Sequence, residues 1–270
     1  MIKYDYHIHT NNSHDSEAIM EEYILKAIDM ELEELCITDH YEIYSDIIGS
    51  KGQTINMEKY YEEFCNMKNK YQDKINLKFG IEIGLRPGLK DHIKELLNKY
   101  DFDFIIGSSH RVNKVSVGAN AKKFFGDDDV NIGYSKYLEE VYENILMFDE
   151  FDVYGHIDYI VRYGDTEDKY LHYEKHKELI DKILKELIKR GKGIEVNTSG
   201  FKYGLGFPHP NYEILKKYKE FGGEILTVGS DAHSVKYLYS NFNEIEEKLR
   251  EIGFKNITSF TKRKAKPISI

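Results

Sequence analysis

The 270-residue chain contains no tryptophan, only two cysteines and only four prolines. The two cysteines, Cys36 and Cys65, are too few for the disulfide framework that supports many small secreted domains. No apolar signal segment precedes Tyr4, and no apolar run approaches the roughly 20 residues that a membrane-spanning helix needs. We therefore expect a cytoplasmic protein that does not enter a membrane.

A basic surface is missing as well. The chain carries 38 lysine and arginine residues against 47 aspartate and glutamate residues, which gives a formal net charge of -9. This balance argues against a nucleic-acid partner, because nucleic-acid-binding surfaces usually present a basic stripe. It would also repel an anionic substrate, unless bound cations supply a local positive potential.

Apolar runs typical of buried strands alternate with charged segments whose apolar residues recur every three to four positions, which indicates helices. The predicted strands are 2–8, 35–38, 77–83, 104–107, 152–155, 193–196 and 225–228, and the predicted helices are 16–30, 57–73, 90–99, 134–148, 172–189, 211–221 and 241–252. This order favours parallel strands joined by right-handed crossovers. No linker rich in proline, serine or glycine interrupts it, so we predict one domain over residues 1–270.

Seven strands with seven helices predict an α/β fold that closes as a barrel of seven units. A doubly wound open sheet is the alternative, but such a sheet binds ligands only near a switch point in its strand order. Polar residues follow six of the seven predicted strands, and an open sheet could not bring six strand ends together. The segment 111–133, with its acidic residues 127–129, is long for a βα loop and is predicted to form a rim or lid.

The polar residues at these strand ends are types that bind metal ions. The candidates are His7, His9, Asp15, Asp39, His40, Glu82, His110, His156, Asp231 and His233. Imidazole groups suit zinc, iron and manganese, and the set is larger than one tetrahedral zinc can use. Clustered metals activate water and balance the charge of phosphoryl oxygens, so the sequence predicts hydrolysis of a phosphate ester.

Two groups of candidates have a different expected role. Asp39 is predicted to support a histidine rather than to bind a metal itself. The remaining histidines are predicted to lie mostly on helical or loop surfaces. They are His14, His92, His172, His176 and His209.

The strand-end motifs are similar to those of a known family. They are His7-Ile8-His9-Thr10, Thr38-Asp39-His40, Gly80-Ile81-Glu82, Gly107-Ser108-Ser109-His110, Gly155-His156-Ile157-Asp158 and Ser230-Asp231-Ala232-His233. The set resembles the polymerase-and-histidinol-phosphatase (PHP) family, which implies a distorted (β/α)7 TIM-like barrel with three metal ions at the C-terminal ends of the strands. Segments 154–164, 193–200 and 260–264 resemble the histidinol-phosphatase branch, which implies hydrolysis of L-histidinol phosphate in histidine biosynthesis.

The same resemblance implies a place for each ligand. It assigns one metal to His7, His9, Glu82 and Asp231, a second to Glu82, His110 and His156, and a third to Asp15, His40 and His233. The three divalent ions would be zinc, iron or manganese, and a hydroxide that bridges metals would attack phosphorus.

The resemblance also implies roles in binding and proton transfer. Asp231 or His233 would pass a proton to the departing alkoxide. Arg162 and Arg111 are the candidates for binding the phosphate. Asn197 and Ser199 follow the one predicted strand without a metal ligand, and we expect them to contact the substrate.

Three alternatives stay open at this point. A broader phosphoesterase acting on nucleotides or other small phosphate esters would use the same chemistry. An amidohydrolase-type barrel also begins with a His-x-His pair, but such sites commonly use a modified lysine as a bridge. A non-enzymatic metal-binding module would need a closed four-coordinate site, which a surplus of ligands suits poorly.

Overall fold

The computed structural model of the chain describes residues 1–43, 55–126, 129–164, 167 and 169–270. The strands are Tyr4–Asp5 (β1), Glu34–Ile37 (β2), His40–Tyr41 (β3), Asn76–Gly84 (β4), Phe104–Ser108 (β5), Arg111–Val112 (β6), Val115–Ser116 (β7), Val153–Tyr154 (β8), Gly193–Asn197 (β9), Leu226–Gly229 (β10), Asn256–Thr261 (β11) and Lys264–Ser269 (β12). The α-helices are Met20–Asp29 (α1), Met57–Tyr71 (α2), Lys90–Lys99 (α3), Ala121–Phe125 (α4), Val130–Met147 (α5), Tyr173–Lys189 (α6), Ser199–Lys202 (α7), Tyr212–Glu220 (α8) and Phe242–Ile252 (α9). Two 3-10 helices span Tyr159–Tyr163 and Val235–Tyr237.

Parallel strands in the order β1-β2-β4-β5-β8-β9-β10 form a nearly closed barrel, and β3 adds a short pairing with β4. Closure depends on the residues after β1, which pair with the segment around the end of β10. The Tyr6 amide donates a hydrogen bond to the Val228 carbonyl oxygen at 3.0 Å, and Ile8 forms a parallel bridge with Ala232. The predicted seven-strand barrel is therefore confirmed. The predicted first strand, 2–8, is regular over only two residues because the chain changes its pairing partner along its length.

The helices follow the predicted periodicity, and their ends follow local chemistry. In α9, Ile245 and Leu249 lie four residues apart and are buried, while the opposite face is charged. The helix ends at Gly253, whose φ of 103° is readily adopted only by glycine. At the start of α8, the Asn211 side chain accepts hydrogen bonds from two backbone amides and so caps the helix.

The segment predicted as an irregular rim loop, 111–133, contains regular structure. It forms the β6–β7 hairpin, α4 and the start of α5. The two hairpin turn residues, Asn113 and Lys114, have positive φ values of 46° and 69°, as a tight two-residue turn requires. Asp127 and Asp128 of the acidic stretch lie outside the described residues.

The antiparallel hairpin β11–β12, which the sequence analysis did not predict, covers the N-terminal end of the barrel. Phe260 packs against Tyr6 and Phe104, with ring centroids 6.4 and 5.0 Å away. In the hairpin turn, Arg263 forms an ion pair with Asp152 at 3.0 Å. The metal-binding candidates lie at the opposite, C-terminal end.

Among the described residues, no helix is long and apolar enough to cross a lipid bilayer. A cytoplasmic location stays a prediction from the sequence.

Candidate metal centre

The barrel brings the predicted ligands together around one polar cavity of about 190 Å³. His7 and His9 are fully buried at its base. The cavity is lined by His14, Asp15, His40, Glu42, Glu82, His110, Ser116, His156, Tyr159, Arg162, Tyr163, Tyr203, Asp231 and His233.

The first group of side chains surrounds the end of β1. The Nε2 atoms of His7 and His9 lie 2.9 Å apart. The Glu82 Oε2 atom lies 3.5 Å from His7 Nε2 and 3.6 Å from His9 Nε2. On the other side, Asp231 Oδ1 lies 3.7 Å from His7 Nε2 and 3.4 Å from His9 Nε2. Two imidazoles and two carboxylates therefore converge here.

Glu82 connects this group to a second one through its other oxygen atom. Its Oε1 atom lies 2.9 Å from His156 Nε2 and 3.4 Å from His110 Nε2. These two histidine nitrogens are 3.4 Å apart. One carboxylate thus faces two clusters of imidazole nitrogens, which is the geometry required of a bridging ligand.

The third group lies toward the cavity mouth. The Asp15 Oδ2 atom is 3.2 Å from His233 Nε2 and 3.5 Å from His40 Nε2. His40 Nδ1 also lies 2.8 Å from Glu82 Oε2, so this group adjoins the first. His14 lines the cavity, with its ring centroid 5.6 Å from that of His40.

The outer nitrogen atoms of several histidines have partners that leave the inner nitrogens free for a metal. His7 Nδ1 donates to Glu195 Oε1 at 2.5 Å, and His110 Nδ1 donates to Glu42 Oε1 at 2.6 Å. An ionised carboxylate can only accept, so Nδ1 of each ring carries a proton, and Nε2 is the atom that can bind a metal once it has lost its own proton. This arrangement is typical of metal-binding histidines.

Besides His156 Nδ1, two buried atoms of the candidate ligands have no hydrogen-bond partner in the described structure. They are Glu82 Oε2 and His40 Nδ1, which face each other without hydrogen-bond geometry. Buried polar atoms are almost always satisfied, so these two indicate that a cation belongs between them. The donor set fits zinc, iron or manganese.

Electrostatics keep the carboxylates ionised. Burial alone would raise the pKa of Glu82 and Asp231, but the neighbouring histidines hold the pKa of both carboxyls well below the usual range. Burial, assisted by His40 and His233, lowers the pKa of His9 well below its usual value. Anionic carboxylates beside a neutral imidazole are the protonation states that bind a metal.

The backbone at two ligand positions is strained. His156 and Asp231 have positive φ values of 24° and 51°, in or near the left-handed region that residues other than glycine rarely adopt. Each such conformation costs on the order of 1–3 kcal/mol and persists only where the surrounding structure enforces it. Glycine is needed at position 229, because a Cβ there would lie 2.3 Å from His7 Cβ and 2.7 Å from Glu195 Oε1.

Asp39 supports the site from outside, as predicted. It is fully buried and accepts hydrogen bonds from the Thr10 amide and the Ser13 hydroxyl, each at 2.6 Å. The Ser13 hydroxyl in turn lies 3.2 Å from His9 Nδ1. Asp39 therefore fixes a partner of a histidine and does not face the cavity.

Arg162 borders the cavity opposite the histidines. Its Nη2 donates to Ser199 Oγ at 2.5 Å and to Asp231 Oδ2 at 3.4 Å, and its Nε donates to His209 Nε2 at 2.9 Å. The guanidinium lies close to the rings of Tyr203 and Tyr159, 4.3 and 4.8 Å from their centroids. No described residue accepts a hydrogen bond from Nη1.

Comparison with known proteins agrees with this geometry. A profile of the PHP domain matches residues 5–199. The chain belongs to the PHP domain family. This PHP protein is 28% identical to the histidinol-phosphatase of Lactococcus lactis, over 97% of its own length and 95% of that relative. It is 30% identical to a probable histidinol-phosphatase of Clostridium acetobutylicum, over 88% of its own length and 89% of that relative.

A solved structure extends the comparison to three dimensions. The crystal structure of histidinol phosphate phosphatase from Lactococcus lactis, complexed with zinc, L-histidinol and phosphate, is similar to this PHP protein with a TM-score of 0.88 and 28% identity. The match covers 98% of this chain and 99% of that structure.

The other predicted substrate residues of this PHP protein lie at different distances from the cavity. Ser199 contacts Arg162 and Asp231, and the Asn197 side chain accepts a hydrogen bond from the Ser199 amide at 3.0 Å. Neither residue lines the cavity. Arg111 lies in the β6–β7 hairpin, where its guanidinium donates to the Lys114 carbonyl oxygen at 3.1 Å, and it does not line the cavity either.

Some residues of the site were missed by the sequence analysis. The remaining histidines were predicted to lie mostly on surfaces; two of them do not, because His209 is fully buried behind Arg162 and His176 is 5% exposed. Glu195 and Glu42, the carboxylates behind His7 and His110, were not predicted at all. Glu195 had a usable signal, because a charged residue inside the apolar run 193–196 needs a buried partner.

Proposed function

We propose that this PHP protein hydrolyses L-histidinol phosphate to L-histidinol and inorganic phosphate. The observation that carries the proposal is the polar cavity in which clusters of metal-binding side chains lie beside the free edge of the Arg162 guanidinium. The relatives named histidinol-phosphatase match over most of the chain, which supports this substrate.

We assign three divalent ions, zinc, iron or manganese, to the three groups. The first would be held by His7, His9, Glu82 and Asp231, the second by Glu82, His110 and His156, and the third by Asp15, His40 and His233. When bound, such ions balance the charge of the phosphate and lower the pKa of a water molecule so that a nucleophile is available near neutral pH.

Arg162 binds the phosphate in this proposal. Its guanidinium is held on one edge by hydrogen bonds and lies against two tyrosine rings, so Nη1 is the part left to donate to phosphoryl oxygens. A donor that is already in place stabilises the charge that develops during phosphoryl transfer without a cost of reorganisation. Asn197 and Ser199 act through Arg162, and Arg111 has no part in this proposal.

The departing alkoxide needs a proton. We assign its delivery to His233, and to Asp231, whose carboxyl is held ionised by its histidine neighbours, the orientation of the His233 ring. Both side chains line the cavity, and His233 Nδ1 lies 3.5 Å from Asp231 Oδ1. Tyr159, Tyr163 and Tyr203 line the same cavity, and we assign to these rings the enclosure of the rest of the ester.

A broader phosphoesterase acting on nucleotides or other small phosphate esters is the alternative, because metals and an arginine recognise any phosphate group. The hypothesis of an amidohydrolase, which would use a modified lysine to bridge metals, loses support because no lysine among the described residues lines the cavity. Values of kcat/KM on histidinol phosphate, nucleoside monophosphates and an aryl phosphate decide between the two phosphoesterase functions. Equal values on all three substrates would overturn the specific assignment.

Two variants test the roles assigned to the site. We expect His9→Ala to abolish phosphate release and to reduce the bound metal, because the His9 ring lies fully buried between two metal groups. Arg162→Ala should keep the metals and lower kcat/KM about 100-fold or more, as expected for loss of a charge-stabilising donor. The exposed His92, on α3, provides the matched control: His92→Ala should change neither quantity. Unchanged kinetics in Arg162→Ala would remove this residue from the site.

A further inference from the structure

We propose that His209 is a positioning residue, which together with Asp158 orients the Arg162 guanidinium so that Nη1 faces the substrate phosphate. The inference rests on the proposed function, since it places a phosphate group at that edge of the guanidinium. His209 does not line the cavity, and within the described part of the chain it belongs to no group of potential metal ligands. Its role must therefore be indirect.

The hydrogen-bond chain from Asp158 fixes the tautomer of the His209 ring. Asp158 Oδ1 lies 2.5 Å from His209 Nδ1, while its Oδ2 atom accepts from the Asn211 amide at 2.9 Å. Because an ionised carboxylate only accepts, His209 Nδ1 carries the proton. The Nε2 atom of a neutral ring is then an acceptor, and Arg162 Nε donates to it at 2.9 Å. A ring protonated on both nitrogens, or on Nε2 alone, could not make this contact.

The His209 ring has little freedom to move. His209 is fully buried, and its backbone pairs with Asn197 in both directions, at 2.7 and 2.8 Å. The same Asn197 holds Ser199 through its side-chain oxygen. Both neutral acceptors of the Arg162 guanidinium are therefore anchored to the end of β9, a rigid element of the barrel.

Counting the donors of Arg162 shows what His209 contributes. A guanidinium carries five N–H groups. The Nε hydrogen is used by His209, and Nη2 donates to Ser199 and Asp231. Without the His209 acceptor, the side-chain hydrogen bonds of the guanidinium would all come from Nη2. The guanidinium could then rotate about its Nη2 atom. The Nη1 edge, which has no acceptor among the described residues, would then no longer be held toward the cavity.

Two substitutions separate the two hydrogen bonds of His209. In His209→Gln the side-chain oxygen reaches the former Nε2 position and can accept from Arg162, but the donor to Asp158 is lost. In His209→Asn the amide nitrogen replaces Nδ1 and can donate to Asp158, but no acceptor reaches Arg162. We measure kcat and KM for histidinol phosphate, inhibition by inorganic phosphate, and the metal content.

We expect His209→Asn to lower kcat/KM by up to about 100-fold, as a displaced catalytic group can, and to weaken inhibition by inorganic phosphate. The metal content should stay at the wild-type value. His209→Gln should restore most of the lost activity. In an Arg162→Ala background neither substitution should have a further effect, because the coupling of His209 to the reaction runs through Arg162. The buried His176, which contacts Ser135 away from the cavity, is the control: His176→Gln should keep wild-type kinetics.

Three results would overturn the inference. The first is an equal loss of kcat/KM in His209→Gln and His209→Asn. The second is a further loss of kcat/KM when either substitution is added to Arg162→Ala. The third is wild-type kinetics with wild-type phosphate inhibition in His209→Asn. Failure of the proposed function is a separate result, seen when the metal-loaded wild type does not hydrolyse histidinol phosphate. In that case the role of His209 is still tested by the binding of inorganic phosphate, measured by calorimetry. Weaker phosphate binding by His209→Asn than by His209→Gln supports the inference, and equal binding overturns it.

Discussion

Substitution of Glu195 by glutamine should weaken metal binding without unfolding the barrel. Glu195 is 1% exposed and accepts three hydrogen bonds. They come from His7 Nδ1 at 2.5 Å, the His156 amide at 3.1 Å and Asn197 Nδ2 at 3.2 Å. A glutamine offers one oxygen and one NH2 group, so at least one of these donors would face another donor. The loss of the negative charge also makes the His7 ring a weaker ligand.

The size of the effect follows from these contacts. Changes in carboxylates behind metal-binding histidines typically cost 10- to 100-fold in metal affinity, which corresponds to about 1.4–2.7 kcal/mol. An unsatisfied buried donor adds roughly 1–3 kcal/mol to the cost in folding stability. We therefore expect Glu195→Gln to bind zinc 10- to 100-fold more weakly in competition with a chelator, and to unfold at a lower urea concentration than the wild type.

Glu34 offers a matched control at the other end of the barrel. It is also buried in a strand, at 4% exposure, and it contacts Ser259 and Lys78 at 2.7 and 3.3 Å. Glu34→Gln should reduce the free energy of unfolding but leave the zinc affinity of the folded protein unchanged. The reasoning is refuted if Glu195→Gln binds zinc as tightly as the wild type, or if both variants lose zinc affinity equally.

Two further predictions concern the metal-free protein and the closed end of the barrel. Burial acts to lower the pKa of His110, but Glu82 and Glu42 outweigh it and raise that pKa to about 9 in the metal-free protein. The ring is then protonated at pH 7 and must lose its proton to bind, so the zinc affinity of the group that contains His110 should rise about tenfold per pH unit between about pH 6.5 and 8 from this proton alone. Glu42→Gln should flatten this dependence, and a pH-independent wild-type affinity would contradict it. Phe260→Ala should lower the free energy of unfolding by about 3–5 kcal/mol in urea titrations, with full zinc content in the folded state; zinc loss there would show that the two ends are not independent.

The convergence of the candidate metal ligands could be predicted because most of them lie at or just after the end of a predicted strand. His110 and His156 come directly after a buried strand, and parallel strands in a barrel bring such positions to one end whatever lies between them. Helices were predicted equally well, since their periodicity is local; α3 runs over the predicted residues 90–99. The order of strands, helices and polar residues along the sequence was therefore enough to predict most of the fold and the gathering of the candidate ligands at one end of the barrel.

The support behind those ligands could not be predicted in the same way. His209 lies 47 residues from Arg162 in the sequence and follows no apolar run, so nothing nearby indicates that the two side chains meet. The β11–β12 hairpin was missed because β12 is mostly exposed and rich in lysine, which hides the strand pattern. The partner of β12, strand β11, is buried only because it covers the N-terminal end of the barrel. In both cases the decisive contacts are set by tertiary structure.

The position of Asp231 links two binding events. Its Oδ1 atom faces His7 and His9, while its Oδ2 atom accepts from Ser199 at 3.1 Å and from Arg162 at 3.4 Å. A cation at the histidines is attracted to the Asp231 carboxylate, whereas an anion at the arginine competes with that carboxylate for the guanidinium, so the two binding events are coupled through Asp231. Thermodynamic reciprocity then requires that whatever factor metal loading applies to phosphate affinity, phosphate applies to metal affinity. The phosphate that is released on turnover would thus influence how firmly the enzyme retains its metals.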